Sequence, residues 1–137
     1  MNERTDTILA HMLEDALDVI AFCKQAGSYE SFCREAMIRK ATIMSLLNIG
    51  ELASHLPQEF KDAHSEIPWR SMTGMRNFAA HGYHTMNLDT VWNTANIAVP
   101  ELLTFLETHV RNENTHQELD QAKADATHAD AGENKES

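Results

Sequence analysis

Residues 6–26 read DTILAHMLEDALDVIAFCKQA, and Gly27 follows. Ile8, Leu9, Met12, Leu13, Ala16, Leu17 and Ile20 recur at helical spacing, with Glu14, Asp15 and Asp18 on the opposite side. Thr5 or Asp6 is a suitable N-cap and Gly27 a natural C-cap, so the stretch predicts an amphipathic helix of about five to six turns. One apolar stripe on a helix must be covered by another element, and the rest of the chain supplies the same pattern. No segment alternates at period two. The expected fold is therefore all-α, an up-and-down helical bundle of about five helices.

Working outward, Ser28 or Ser31 caps a second helical stretch that runs to about Ser54 and can break in two near its start. Phe32, Ala36, Ile43, Leu47 and Gly50 mark its inward face, widened by Met37, Met44 and Ile49. A glycine inside a helix costs about 1 kcal/mol against alanine, so Gly50 predicts a close helix–helix contact. Residues 57–63 read as a short helix anchored by Phe60. Ile67-Pro68 forms a turn, with Pro68 placed to open the next helix, over 69–80. Its inward side is Trp69, Met72, Met75, Phe78 and Ala79. Asn87 caps the last long helix, whose stripe is Val91, Trp92, Ala95, Val99, Leu102, Leu103 and Leu106. Pro100 lies within that stripe and is expected to kink the helix without ending it. Both tryptophans and the methionines read as packing residues.

The 137 residues suit one domain, and an apolar fraction of 42% is ordinary for a globular one. The domain is expected over 1–111 and an acidic disordered tail over 112–137, where the apolar pattern fades. No apolar run is long enough for a transmembrane helix and the first residues are polar, so a cytoplasmic location without membrane contact is expected. Cys23 and Cys33 read as small apolar residues, with no disulfide expected. Net charge is −10, six of it in 1–110. Such a chain cannot coat nucleic acid by bulk charge, so any RNA contact must be local, around a few arginines.

The chemistry concentrates in residues 76–83, Arg76-Asn77-Phe78-Ala79-Ala80-His81-Gly82-Tyr83. Arginine presents a fixed fork of donors to phosphate, histidine exchanges protons near neutrality, and tyrosine adds a hydroxyl. Together they are a kit for phosphodiester chemistry without a metal. On an ideal helix Arg76 and Tyr83 lie about 20° apart but Arg76 and His81 about 140° apart. One straight helix would not aim both at a single phosphate. Either the helix unwinds near Gly82, or two copies of the motif meet across a two-fold axis. Asn77, about 40° from His81, could orient its ring. Plainer readings stand alongside. Arg76 could pair structurally with Glu51, His81 could complement a helix C-terminus, and Tyr83 could be half-buried packing. His81 and His84 are spaced as a ligand pair, but no third ligand lies near in sequence, and no metal is expected.

The Arg-x4-His-x-Tyr spacing resembles the HepT-like toxin ribonucleases of the HEPN superfamily. Ile49-Gly50-Glu51, Ile67-Pro68-Trp69, Gly74-Met75 and Val91-Trp92 extend the resemblance over about residues 5–110. It implies a dimeric, metal-independent endoribonuclease with a composite site and no cofactor of its own. Arg76 and His81 would be catalytic, with Asn77, Tyr83 and Glu51 in support. RNA is the implied substrate, DNA is not expected, and the implied product is a 2′,3′-cyclic phosphate end. It further implies an MntA-like nucleotidyltransferase antitoxin that uses ATP and Mg to AMPylate Tyr83. From another class comes the alternative of a non-catalytic helical partner, or substrate-presenting subunit, of a nucleotidyltransferase.

Overall fold

A computed structural model describes residues 3–77 and 87–110, together with Ala122. All regular structure among them is helical: α1 (Glu3–Ala26), α2 (Tyr29–Arg34), α3 (Ala36–Ser54), α4 (Gln58–Ala63), α5 (Trp69–Gly74) and α6 (Leu88–Asn93). A π-helical turn (Thr94–Ala98) then leads into α7, residues 99–110. This is the expected all-α bundle. The expected tail, 112–137, falls outside the described residues apart from Ala122.

Capping explains most of the boundaries. Ser28 accepts the amide of Ser31 at 3.1 Å and starts α2. Asn87 accepts the amides of Asp89 and Thr90 at 2.9 and 3.4 Å and starts α6. Gly27, at φ +79°, closes α1. That helix begins at Glu3, earlier than expected, so Thr5 and Asp6 are inside it and Thr5 is buried. The long second stretch does break, at Glu35, into α2 and α3.

Two faces differ from the periodicity reading. On α1 the buried line is Ile8, Leu9, Met12, Ala16, Val19 and Cys23, while Leu17 is exposed. On α3 the buried face is Thr42, Ile43, Ser45, Leu46, Ile49, Gly50 and Ala53, rotated from the expected one. Met37 and Met44, expected inside, are 86% and 57% exposed. Thr42 can be buried because its hydroxyl donates to the Ile38 carbonyl at 2.7 Å. Two small polar residues on the core face let α1 pack closely along α3, which apolar periodicity does not register.

Pro100 lacks an N–H, and its ring would collide with the carbonyl four residues back. The π turn at Thr94–Ala98 ends just before it and widens the backbone there. The helix then continues, with Val99, Leu102 and Leu106 fully buried.

Aromatic packing closes one end of the bundle. The Phe60 ring lies 4.6 Å from His64, 6.0 Å from Trp69 and 6.2 Å from Phe105. The Trp69 indole N–H donates to the His64 carbonyl at 2.9 Å. Together these contacts tie α4, the start of α5 and α7 into one cluster, and so set where α5 points. Trp92 packs on Phe32 at 5.0 Å. Cys23 and Cys33 are free thiols, as expected, and burial pushes the Cys23 thiol up.

Candidate active site

The close contact that Gly50 predicts is between α3 and α5. A Cβ on Gly50 would fall 2.9 Å from both the Arg76 amide nitrogen and the Met72 carbonyl oxygen, and 3.1 Å from Met75 Cβ. Any larger residue would push the two backbones apart. Because Glu51 follows Gly50, its side chain leaves α3 directly beside Arg76.

The expected helix over 69–80 is interrupted at Met75 and Arg76, and residues 78–80, with the expected inward Phe78 and Ala79, lie outside the described residues. The α-helix stops at Gly74, and the chain tightens. Met75 and Arg76 donate to Met72 and Thr73, three residues back, at 3.1 Å each. Gly74, a poor helix former, permits the change. Trp69, Met72 and Met75 are buried as expected.

Arg76 Nε lies 2.9 Å from Glu51 Oε2, and Glu51 Oε1 lies 3.1 Å from His55 Nε2. One carboxylate thus bridges an arginine and a histidine. All three side chains are about half exposed. The pair engages Nε of the guanidinium. The plain structural reading of Arg76 and the supporting role for Glu51 are both compatible with this geometry. His55 is an addition that motif reasoning passed over, although Glu51 and His55 stand at i,i+4 on one helix face.

Arg76 and Asn77 open onto a cleft of about 1200 Å³ between α4 and α5. Lys61, Arg70 and Thr73 also line it. Three of the eight Lys and Arg residues in 1–110 therefore face one cleft of an acidic chain. Among the described residues neither Lys61 nor Arg70 has an ion-pair partner. Asp62, also on the cleft, accepts a hydrogen bond from Gln58 Nε2 at 2.9 Å. His81, Tyr83 and His84 lie outside the described residues. Among those described, no group of three or more His, Cys, Asp or Glu side chains is placed to hold a metal ion. No described helix is long and apolar enough to cross a membrane.

An all-helical bundle with an arginine–carboxylate–histidine chain at the mouth of a cation-lined cleft defines a class of helical domains equipped to hold phosphate. Within that class, the chain belongs to the ribonuclease HepT-like family, whose model matches residues 12–109. It is 35% identical over 94 residues to a Caldanaerobacter subterraneus subsp. tengcongensis protein described as a "Putative RNase", covering 69% of this chain and 83% of that one. A Methanocaldococcus jannaschii protein with the same description is 34% identical over 94 residues, 69% of this chain and 85% of its own. The "Probable ribonuclease HepT" of Thermococcus cleftensis is 31% identical over 90 residues, 66% and 82% of the two chains. No solved structure matches the chain.

Proposed function

We propose that the protein is a metal-independent endoribonuclease, the toxin of a toxin–antitoxin pair. Beyond family membership, the observation that carries this reading is Arg76. It is held by Glu51 at 2.9 Å yet half exposed, at the mouth of a cleft with two further cations, Lys61 and Arg70, that have no ion-pair partner among the described residues. A half-exposed ion pair contributes only about 0.2–1 kcal/mol to stability, so its larger effect is to aim the guanidinium.

In the reaction the ribose 2′-oxygen attacks the adjacent phosphorus, and the bond from phosphorus to the 5′-oxygen breaks. A base takes the 2′-hydroxyl proton, and an acid returns a proton to the leaving oxygen. The products are a 2′,3′-cyclic phosphate and a 5′-hydroxyl. Arg76 offsets the charge that builds on the non-bridging oxygens. His81 takes one of the two proton-transfer roles.

The site is composite, built from two copies of the chain. Met37, Met44 and Glu51 stand at seven-residue steps, within about 40° on one outward face of α3. Both methionines are exposed, and an apolar line leading to Glu51 suits a second copy. Tyr83 is the point of control. Its hydroxyl oxygen attacks the α-phosphorus of ATP held by a nucleotidyltransferase, pyrophosphate leaves with Mg, and the phenolic proton passes to base. The attached AMP places bulk and negative charge near Arg76 and blocks RNA.

Two measurements test this. Arg76→Ala and His81→Ala should each reduce RNA cleavage by at least about 100-fold with helical circular dichroism unchanged. Wild-type cleavage by the double variant would end the catalytic reading. Intact mass after incubation with the neighbouring nucleotidyltransferase and Mg-ATP should rise by one or more AMP units, and Tyr83→Phe should prevent the rise.

A further inference from the structure

We propose that the cleft between α4 and α5 is a track for the backbone of the RNA strand, with Lys61 and Arg70 as phosphate contacts beyond the cleavage point. The proposal rests on the ribonuclease reading and adds to it how substrate length and sequence are read.

The charge distribution points to a polyanion. The chain carries −10 overall, yet the described part of this cleft presents Lys61, Arg70 and Arg76, with Asp62 as the acid on its lining and Glu51 already paired to Arg76, so Lys61 and Arg70 are the cations without an ion-pair partner among the described residues. Asp62 is already hydrogen-bonded to Gln58. Unpaired cations concentrated on one concave surface of an acidic protein give a local field that attracts phosphate while the rest of the molecule repels it.

The dimensions point to a strand. At about 1200 Å³ the cleft exceeds the roughly 300–1,000 Å³ of pockets that enclose a single small molecule. Arg70 and Arg76 are six residues apart, roughly 10 Å along the α-turn and the tighter turn that follows it, so they suit different phosphates of one chain. Lys61, on α4, borders the same cleft from its other wall.

The remaining lining points to backbone over base. Among the described residues that line the cleft Trp69 is the aromatic side chain, and it is only 8% exposed, with its indole N–H already given to the His64 carbonyl at 2.9 Å. Its ring is spent on the core and offers no stacking platform, the usual means by which single strands are held by their bases. Thr73 and Asn77 add a hydroxyl and an amide, which suit phosphate and ribose oxygens. Recognition through such contacts depends on length and salt and tolerates any sequence.

The test uses the full chain with unpaired RNA of about 4 and about 16 nucleotides, the span of single-strand site sizes. Fluorescence anisotropy across a salt series and cleavage kinetics are the readouts. Lys61→Gln/Arg70→Gln should weaken binding of the long strand about tenfold and flatten the plot of log affinity against log salt by about 1.4, or 0.7 for each lost phosphate contact. The rate advantage of the long strand over the short one should shrink to about twofold or less. Thr73→Glu, which adds a charge to the cleft and removes none, should reproduce the loss.

Wild-type salt slopes in both variants would overturn the track. So would equal losses on short and long strands, or a preference of more than about tenfold among homopolymers, which needs base contacts. If the wild type binds RNA with the predicted slope but never cleaves it, the track stands and the ribonuclease reading falls. If the wild type binds no RNA, both fall.

Discussion

Glu51 holds Arg76 with one oxygen and His55 with the other. Its removal separates aiming from holding. In Glu51→Gln the arginine keeps its charge, the competing carboxylate disappears, and the amide cannot fix Nε as firmly. Phosphate binding should tighten while the chemical step slows, so KM falls and kcat drops about tenfold, as expected for a misaimed group. The melting temperature should move little, because a half-exposed pair contributes at most about 1 kcal/mol. A variant with wild-type kcat would mean that Glu51 does not position Arg76 for chemistry. At this scale the sequence was informative about residue types and offered Glu51 as a partner for Arg76, but it did not indicate His55. Arg76 and Glu51 were both legible as candidate site residues. Lys61 and Arg70, 9 residues apart in sequence, gave no local sign that they share a cleft.

At the scale of elements, the seam between α3 and α5 positions the site. Gly50→Ala introduces a methyl group 2.9 Å from two backbone atoms of the α5 segment, which cannot rotate away as a side chain would. Overpacking of this kind costs about 1–3 kcal/mol, more than the gain of up to about 1 kcal/mol in helix propensity. The melting temperature should fall by several degrees, and cleavage should fall with it, because the displaced backbone is that of Arg76. Gly74→Ala is the control. A Cβ there meets nothing within 4 Å, and its φ is not positive. Stability should be unchanged or rise by about 0.4–1 kcal/mol. Equal thermal denaturation of the two variants would contradict the close seam. The packing reason for Gly50 was legible from its place inside a helix, whereas the neighbour it packs against was not. Nor did apolar periodicity place Met37 and Met44 outside, because Thr42 and Ser45 occupy the face they were expected to share.

Across the whole molecule, the histidine–aromatic cluster makes closure of the bundle sensitive to acid. His64 and His109 rings lie 4.7 Å apart, and Phe105 lies 4.4 Å from His109. Burial holds the His109 pKa below the ordinary histidine value, His64 adds to the depression, and Glu66 opposes it. With the folded pKa below the unfolded one, the unfolded chain binds more protons between the two. The contribution of His109 is therefore complete above about pH 6.5 and is lost as pH falls toward the lower folded value. Melting temperatures from pH 8 to pH 5 should show that loss in the wild type. His109→Gln should show a shallower acid decline, and parallel curves for the two proteins would disprove it. The change in net charge is nearly common to both, so their difference isolates the cluster.

The sequence by itself determined which segments become helices and largely where they start and stop. The forces responsible act over three or four residues, as with Ser28 at its amide, Asn87 at its two, Gly27 at positive φ, and a proline that a helix can accommodate only by widening. It also determined the family, whose model matches residues 12–109. Only the tertiary structure decided which side of α3 meets the core, that Glu51 bridges Arg76 and His55, and that three scattered cations face one cleft. Those outcomes depend on contacts between helices, where close packing of small residues and the direction of α5 outweigh any local preference.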